Sequence, residues 1–153
     1  MKPLNFFKKK EKKPEFKISN FGSLKLEKDR GGYSWIGLVA IPISKAEVEL
    51  TIEVEGDNEP SRKKVKSILD LEKNWNSLSN LLFEYIVECF RDSKWEKEKD
   101  ELEKMYFLLA IDLKREYDEW WIVLEPEFHV PTIFNFYLRF TLRNNEVIWS
   151  NIN

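Results

Sequence analysis

The 153 residues include one cysteine and one histidine. A lone thiol closes no internal disulfide, a count that fits a reducing compartment or an indifferent one. One His and one Cys also exclude a His/Cys zinc site or a redox dithiol assembled from this chain. Glycine is scarce at five, and no Gly-x-x-x-x-Gly-Lys, Gly-x-Gly-x-x-Gly or Gly-x-Ser-x-Gly string occurs. A standard phosphate-cradling loop or nucleophile elbow is therefore not expected. No apolar run approaches the roughly 18 residues that a membrane-spanning helix needs. The basic start, Met1 to Pro14, is not followed by the apolar core of a secretory signal, so the expectation is an unprocessed, cytoplasmic chain.

Large side chains are plentiful instead. Aromatic residues make up 14%, with 6 Trp and 11 Phe. So much apolar area demands burial and excludes wholesale disorder. The size is that of one ordinary domain. Abundant Lys, Asn, Ile and Phe beside scarce Ala is what AT-rich codons produce, which points to a low-GC bacterium. The net charge of −2 conceals a split. Residues 1–17 hold seven Lys and two Glu, 7 − 2 = +5, which leaves −7 for the rest. The expectation is a basic, disordered tail over 1–15 and a single α+β domain over 16–153. Leu4, Phe6 and Phe7 among the lysines give the tail an alternative role, a weak contact to anionic lipid or RNA.

Along the body, strand periodicity brackets a helical middle. Leu24 and Leu26 alternate with Lys25 and Glu27, the Gly31-Gly32 pair offers a turn, and Tyr33, Trp35, Gly37, Val39 and Ile41 alternate with Ser34, Ile36, Leu38 and Ala40. Next, Ala46, Val48, Leu50, Ile52 and Val54 share one side of a strand and Glu47, Glu49, Thr51, Glu53 and Glu55 the other. Ser61 is an N-cap candidate for an amphipathic helix to about Phe90, with a bend possible at residues 74–80, which are poor helix formers. A second helix is expected over Trp95–Met105, and 107–115 fits helix or strand. Strands return at Trp120–Leu124, Phe134–Leu142 and Val147–Trp149, the last two joined by Asn144-Asn145. Grouped strands and helices predict an α+β fold: a mainly antiparallel sheet of about six strands, three N-terminal and three C-terminal, with the helices on one face.

Few residues invite a catalytic reading. His129, beside Pro131, reads as a structural or surface histidine, and Cys89, on the apolar helical stripe, as a buried inert thiol. A glycosidase-like pair of carboxylates cannot be singled out among 27 Asp and Glu. No metal, cofactor or enzymatic activity is expected. The Glu row is the stronger signal. Same-side residues on a strand recur at about 6.5–7 Å, so Glu47, Glu49, Glu53 and Glu55 present carboxylates along about 27 Å, with Asp57 beyond the strand end. Such a stripe suits a basic partner, unless it is an ordinary solvent face. Trp120 and Trp121 point to opposite faces of their strand, so one of them meets a helix, the tail or a partner.

Phe21-Gly22-Ser23-Leu24, Gly32-Tyr-Ser-Trp35, the acidic and apolar strand 46–55, Asn74-Trp-Asn-Ser-Leu78 and Phe83-Glu-Tyr85 resemble a group of small bacterial domains. Several of these are regarded as immunity proteins encoded beside polymorphic or contact-dependent toxins. The resemblance covers residues 20–90. That group carries a histidine in a late strand, where this chain has Tyr137 or a neighbour, so no catalytic residue is carried over. The resemblance implies a cytoplasmic immunity protein that neutralises a cognate toxin, basic and of the nuclease kind, by direct stoichiometric binding. The alternative is a scaffold or regulatory binding module tethered by the basic tail.

Overall fold

The computed structural model describes residues 13–41, 44–115 and 118–152. Most of the expected tail lies outside them. Four strands come first: β1 (Glu15–Ile18), β2 (Gly22–Asp29), β3 (Gly32–Val39) and β4 (Val48–Val54). Three helices follow, α1 (Arg62–Leu69), α2 (Leu71–Phe90) and α3 (Lys99–Met105), and then β5 (Tyr106–Leu113), β6 (Trp120–Pro126), β7 (Leu138–Arg143) and β8 (Glu146–Ser150).

The α+β class is as expected, but the sheet is larger than the sequence reading predicts and is mixed. It holds eight strands in the order β1-β2-β3-β4-β5-β6-β7-β8, so every neighbour in sequence is a neighbour in space. All pairings are antiparallel except β4 with β5. That exception is a matter of connection. Antiparallel neighbours can join directly at one end of the sheet, whereas β4 reaches β5 through the whole helical segment, the crossover that a parallel pair requires. The two strands beyond the expected six are β1, only four residues long, and β5, which starts where α3 ends with no turn between them.

Cross-strand registers define the two faces. Gly37, Leu50, Ile111, Ile122, Phe140 and Ser150 stand in one transverse row, and Trp35, Ile52, Leu113, Trp120, Leu142 and Val147 in the next. These rows meet Ile68, Leu71, Leu82, Phe83, Ile86 and Leu102 from the helices in one core. Gly37 is required there, because a Cβ at this position would stand 2.4 Å from the Ser23 carbonyl oxygen on β2.

The helical stripe breaks at Asp70, ahead of the residues where a bend is expected, and α2 runs unbroken through Asn74–Asn80. Ser61 does cap α1, accepting a hydrogen bond from the Lys64 N–H. The second helix is shorter than expected at its start, with Trp95 in the turns before it. Strand β7 likewise begins at Leu138, because Phe134 is drawn out of line into an aromatic cluster. Its ring lies 4.8 Å from Phe136, 5.4 Å from Phe90 and 6.2 Å from Trp95, centroid to centroid. Asn144 and Asn145 close the last hairpin with φ of 51° and 61°, the left-handed pair that a two-residue turn needs.

Candidate functional site

Helices cover one face of the sheet, and among the described residues no helix covers the other, the open face. On the open face a single row crosses all eight strands: Glu15, Lys25, Ile36, Thr51, Asp112, Trp121, Thr141 and Trp149, each opposite the next. A neighbouring row runs Leu38, Glu49, Ala110, Val123 and Arg139. Leu38 is 59% exposed, Trp121 45% and Trp149 53%, so the face mixes large apolar groups with charge. A soluble sheet face usually carries polar side chains, and apolar groups gathered there are what a binding surface displays.

The expected Glu row is distributed differently along the chain. Strand β4 itself contains only Glu49 and Glu53, while Glu47 and Glu55 lie just beyond its two ends and Asp57 in the turn that follows. Glu47, Glu49, Glu55 and Asp57 are exposed. Glu53 is half-buried and already occupied. Lys114 Nζ donates to it at 2.7 Å and the Arg115 N–H at 3.1 Å. Lys114 also donates to Asp112 at 2.8 Å and lies 3.5 Å from the centroid of the Trp121 ring.

Electrostatics within this cluster follow from burial and from Lys114, the cation bonded to both carboxylates, with Arg115 adding to its effect on Glu53 and Lys64 to its effect on Asp112. Burial pushes Asp112 above the usual carboxylate range, only partly offset by Lys114, and its Oδ1 is buried with no hydrogen-bond partner. Burial would raise Glu53 as well, but the bonds from Lys114 and Arg115 bring it below its ordinary value. Lys114, which burial alone would lower, is raised by its two carboxylates.

The adjacent tryptophans do divide between the faces. Trp120 packs half-buried against the core, in the row with Leu113 and Leu142. Trp121 stands on the open face, its indole N–H donating to Glu119 at 3.0 Å. Glu119 also receives Arg143 at 2.8 Å, and that guanidinium, with Trp121, holds its carboxyl below the usual range. Trp121 is thus exposed yet fixed between a cation and a carboxylate, the condition of a preorganised anchor. Sequence reasoning did not single out Asp112, Lys114, Glu119, Arg143, Leu38 and Trp149. Their residue types are ordinary, and only the register places them beside Glu53 and Trp121.

At the end of the sheet where β5 stops and β6 starts, a cleft of about 670 Å³ opens between the helices and the covered face. Leu71, Leu78 and Leu81 of α2 and Leu113, Trp120 and Leu142 of the sheet form its apolar wall. Lys63, Lys64, Asp70, Asn74, Asp118, Asn144 and Asn145 are among its polar lining.

The other sequence candidates stay apart from these features. His129 is exposed in the segment between β6 and β7, beside Phe128. Cys89 is half-buried rather than fully buried, since α2 nears its end there, and burial raises its thiol above the ordinary value. Among the described residues, no group of three or more His, Cys, Asp or Glu is placed to hold a metal ion. No described helix is long and apolar enough to cross a membrane. A scan of protein-family models finds no match to this chain, and searches of curated proteins and of solved structures find none either.

Proposed function

We propose that this chain is a non-enzymatic bacterial immunity protein that binds a cognate toxin one to one in the cytoplasm. The open sheet face carries the proposal. Leu38 and the fixed Trp121 supply exposed apolar anchors there, while Glu49 is free of ion pairs among the described residues. Exposed Glu47, Glu55 and Asp57 flank the same strand and add a negative field. Anchors give affinity and the acidic border steers a basic toxin into contact, which matters for an inhibitor that must act before its target does. The resemblance of residues 20–90 to immunity domains agrees with this reading, as does a chain without a recognisable catalytic motif. Co-expression with the toxin encoded beside it should protect the cell, and the purified pair should form a 1:1 complex. A chain lacking residues 1–12, which leaves β1 intact, should protect equally well. Loss of protection on that deletion would favour a module tethered by its tail.

A further inference from the structure

The cleft at the sheet end lies on the helix-covered side; its apolar wall is separate from the proposed docking face, and of its lining side chains only those of Lys114 and Glu119 also touch Trp121. Its volume of about 670 Å³ lies within the range of small-molecule sites. Three cations, Lys63, Lys64 and Lys114, and three carboxylates, Asp70, Asp118 and Glu119, line it. Five of these six charges are already answered by a side chain of opposite sign: Lys63 by Asp118, Lys114 by Glu53 and Asp112, Asp70 by Lys66, and Glu119 by Arg143. Lys64 is the exception. Its ammonium donates to the backbone carbonyl of Glu53 at 2.6 Å and pairs with no carboxylate among the described residues, although it is half-buried. A partly desolvated ammonium with donors to spare, at the edge of a leucine and tryptophan wall, selects for an anion that brings its own apolar body.

We propose that the cleft binds a small amphipathic monocarboxylate, its carboxylate on Lys64 and its aliphatic or aromatic body against Leu71, Leu78 and Trp120. A dianion such as a phosphate monoester fits poorly, because the six lining charges cancel and the three carboxylates repel a second negative charge. One carboxylate matches the one lining cation that makes no ion pair among the described residues, Glu53, Asp112 and Asp118 attracting it only from beyond contact.

Octanoate is the probe, with octanol as its uncharged counterpart of the same length, titrated into the full chain by calorimetry. Octanoate should bind one to one and saturably, and about ten-fold or more tighter than octanol, the worth of a charge-assisted hydrogen bond. Lys64→Met should remove that preference while leaving octanol binding in place. Asn74→Trp, at an exposed position of α2 on the cleft lining, should fill the space and abolish binding of both, with the thermal unfolding temperature reporting that each variant is folded. Absence of saturable octanoate binding in the millimolar range would overturn the proposal. So would a preference for octanoate that survives Lys64→Met, or binding that survives Asn74→Trp. Toxin binding enters none of these readouts, so their failure and failure of the immunity reading are distinguishable.

Discussion

Replacing Lys114 by methionine isolates the electrostatic centre of the open face. The substitution keeps an unbranched stem over the Trp121 ring and deletes the one cation that joins Glu53 on β4 to Asp112 on β5. The side chains of Lys114, Glu53 and Asp112 are 17%, 27% and 26% exposed, so the network is neither surface nor deep interior. Removing one partner of a fully buried pair costs about 3–5 kcal/mol, and an exposed pair is worth about 0–1 kcal/mol. An intermediate cost of about 2 kcal/mol follows, which at this chain length lowers Tm by about 4–8 °C.

The pH dependence carries a sign as well. Without Lys114 the two carboxylates face each other across neighbouring strands, and both folded-state pKa values rise. A group with a raised folded pKa costs nothing when protonated and loses stability as pH rises through that value. The variant should therefore lie closest to the parent at about pH 4 and fall furthest behind at neutral pH. Adding Asp112→Asn to Lys114→Met should recover part of the loss at pH 7. The assay is urea unfolding at both pH values. A loss below about 0.5 kcal/mol that does not change with pH would refute the claim that this cluster is desolvated and held by Lys114.

Two further substitutions test the frame that carries the face. Gly37→Ala should destabilise by about 1–3 kcal/mol in the same assay, since its Cβ meets backbone on β2 that moves only with the strand. Asn145→Val forces a β-branched residue into a left-handed turn position and should cost about 1–2 kcal/mol, while Asn145→Gly should be neutral or stabilising.

The sequence made the α+β class legible because most of its strands alternate cleanly, and β4 the most cleanly of all. Its apolar side is fully buried at Val48, Leu50 and Ile52. Where alternation fails, so does the reading. Strand β5, Tyr-Phe-Leu-Leu-Ala-Ile-Asp-Leu, has a register irregularity between Leu108 and Ala110 that disturbs its period of two, and it continues directly from a helix. Phe134 and Phe136 keep strand periodicity but leave the sheet for contacts with one another and with α2 and its following turn, a tertiary effect that no local pattern contains. The acidic row was visible as spacing. That Glu53 would be claimed by a lysine 61 positions away depends on the β4-β5 pairing, and with it on the crossover. Trp121 was recognisable as one of a pair destined for opposite faces, whereas Leu38 and Trp149 join it only through register.

The central claim concerns the open face, and it is tested most directly by the affinity of the purified chain for the cognate toxin that the proposed function requires. Calorimetry at low and high salt should be run with the parent chain, with Leu38→Glu and with Glu47, Glu49 and Glu55 all changed to Gln. Glu53 is left in place because it belongs to the Lys114 cluster. The account predicts a 1:1 complex that Leu38→Glu weakens by about ten-fold or more, and whose salt dependence falls in the triple variant. A complex of unchanged affinity and unchanged salt dependence in both variants, or no complex at all, would contradict it.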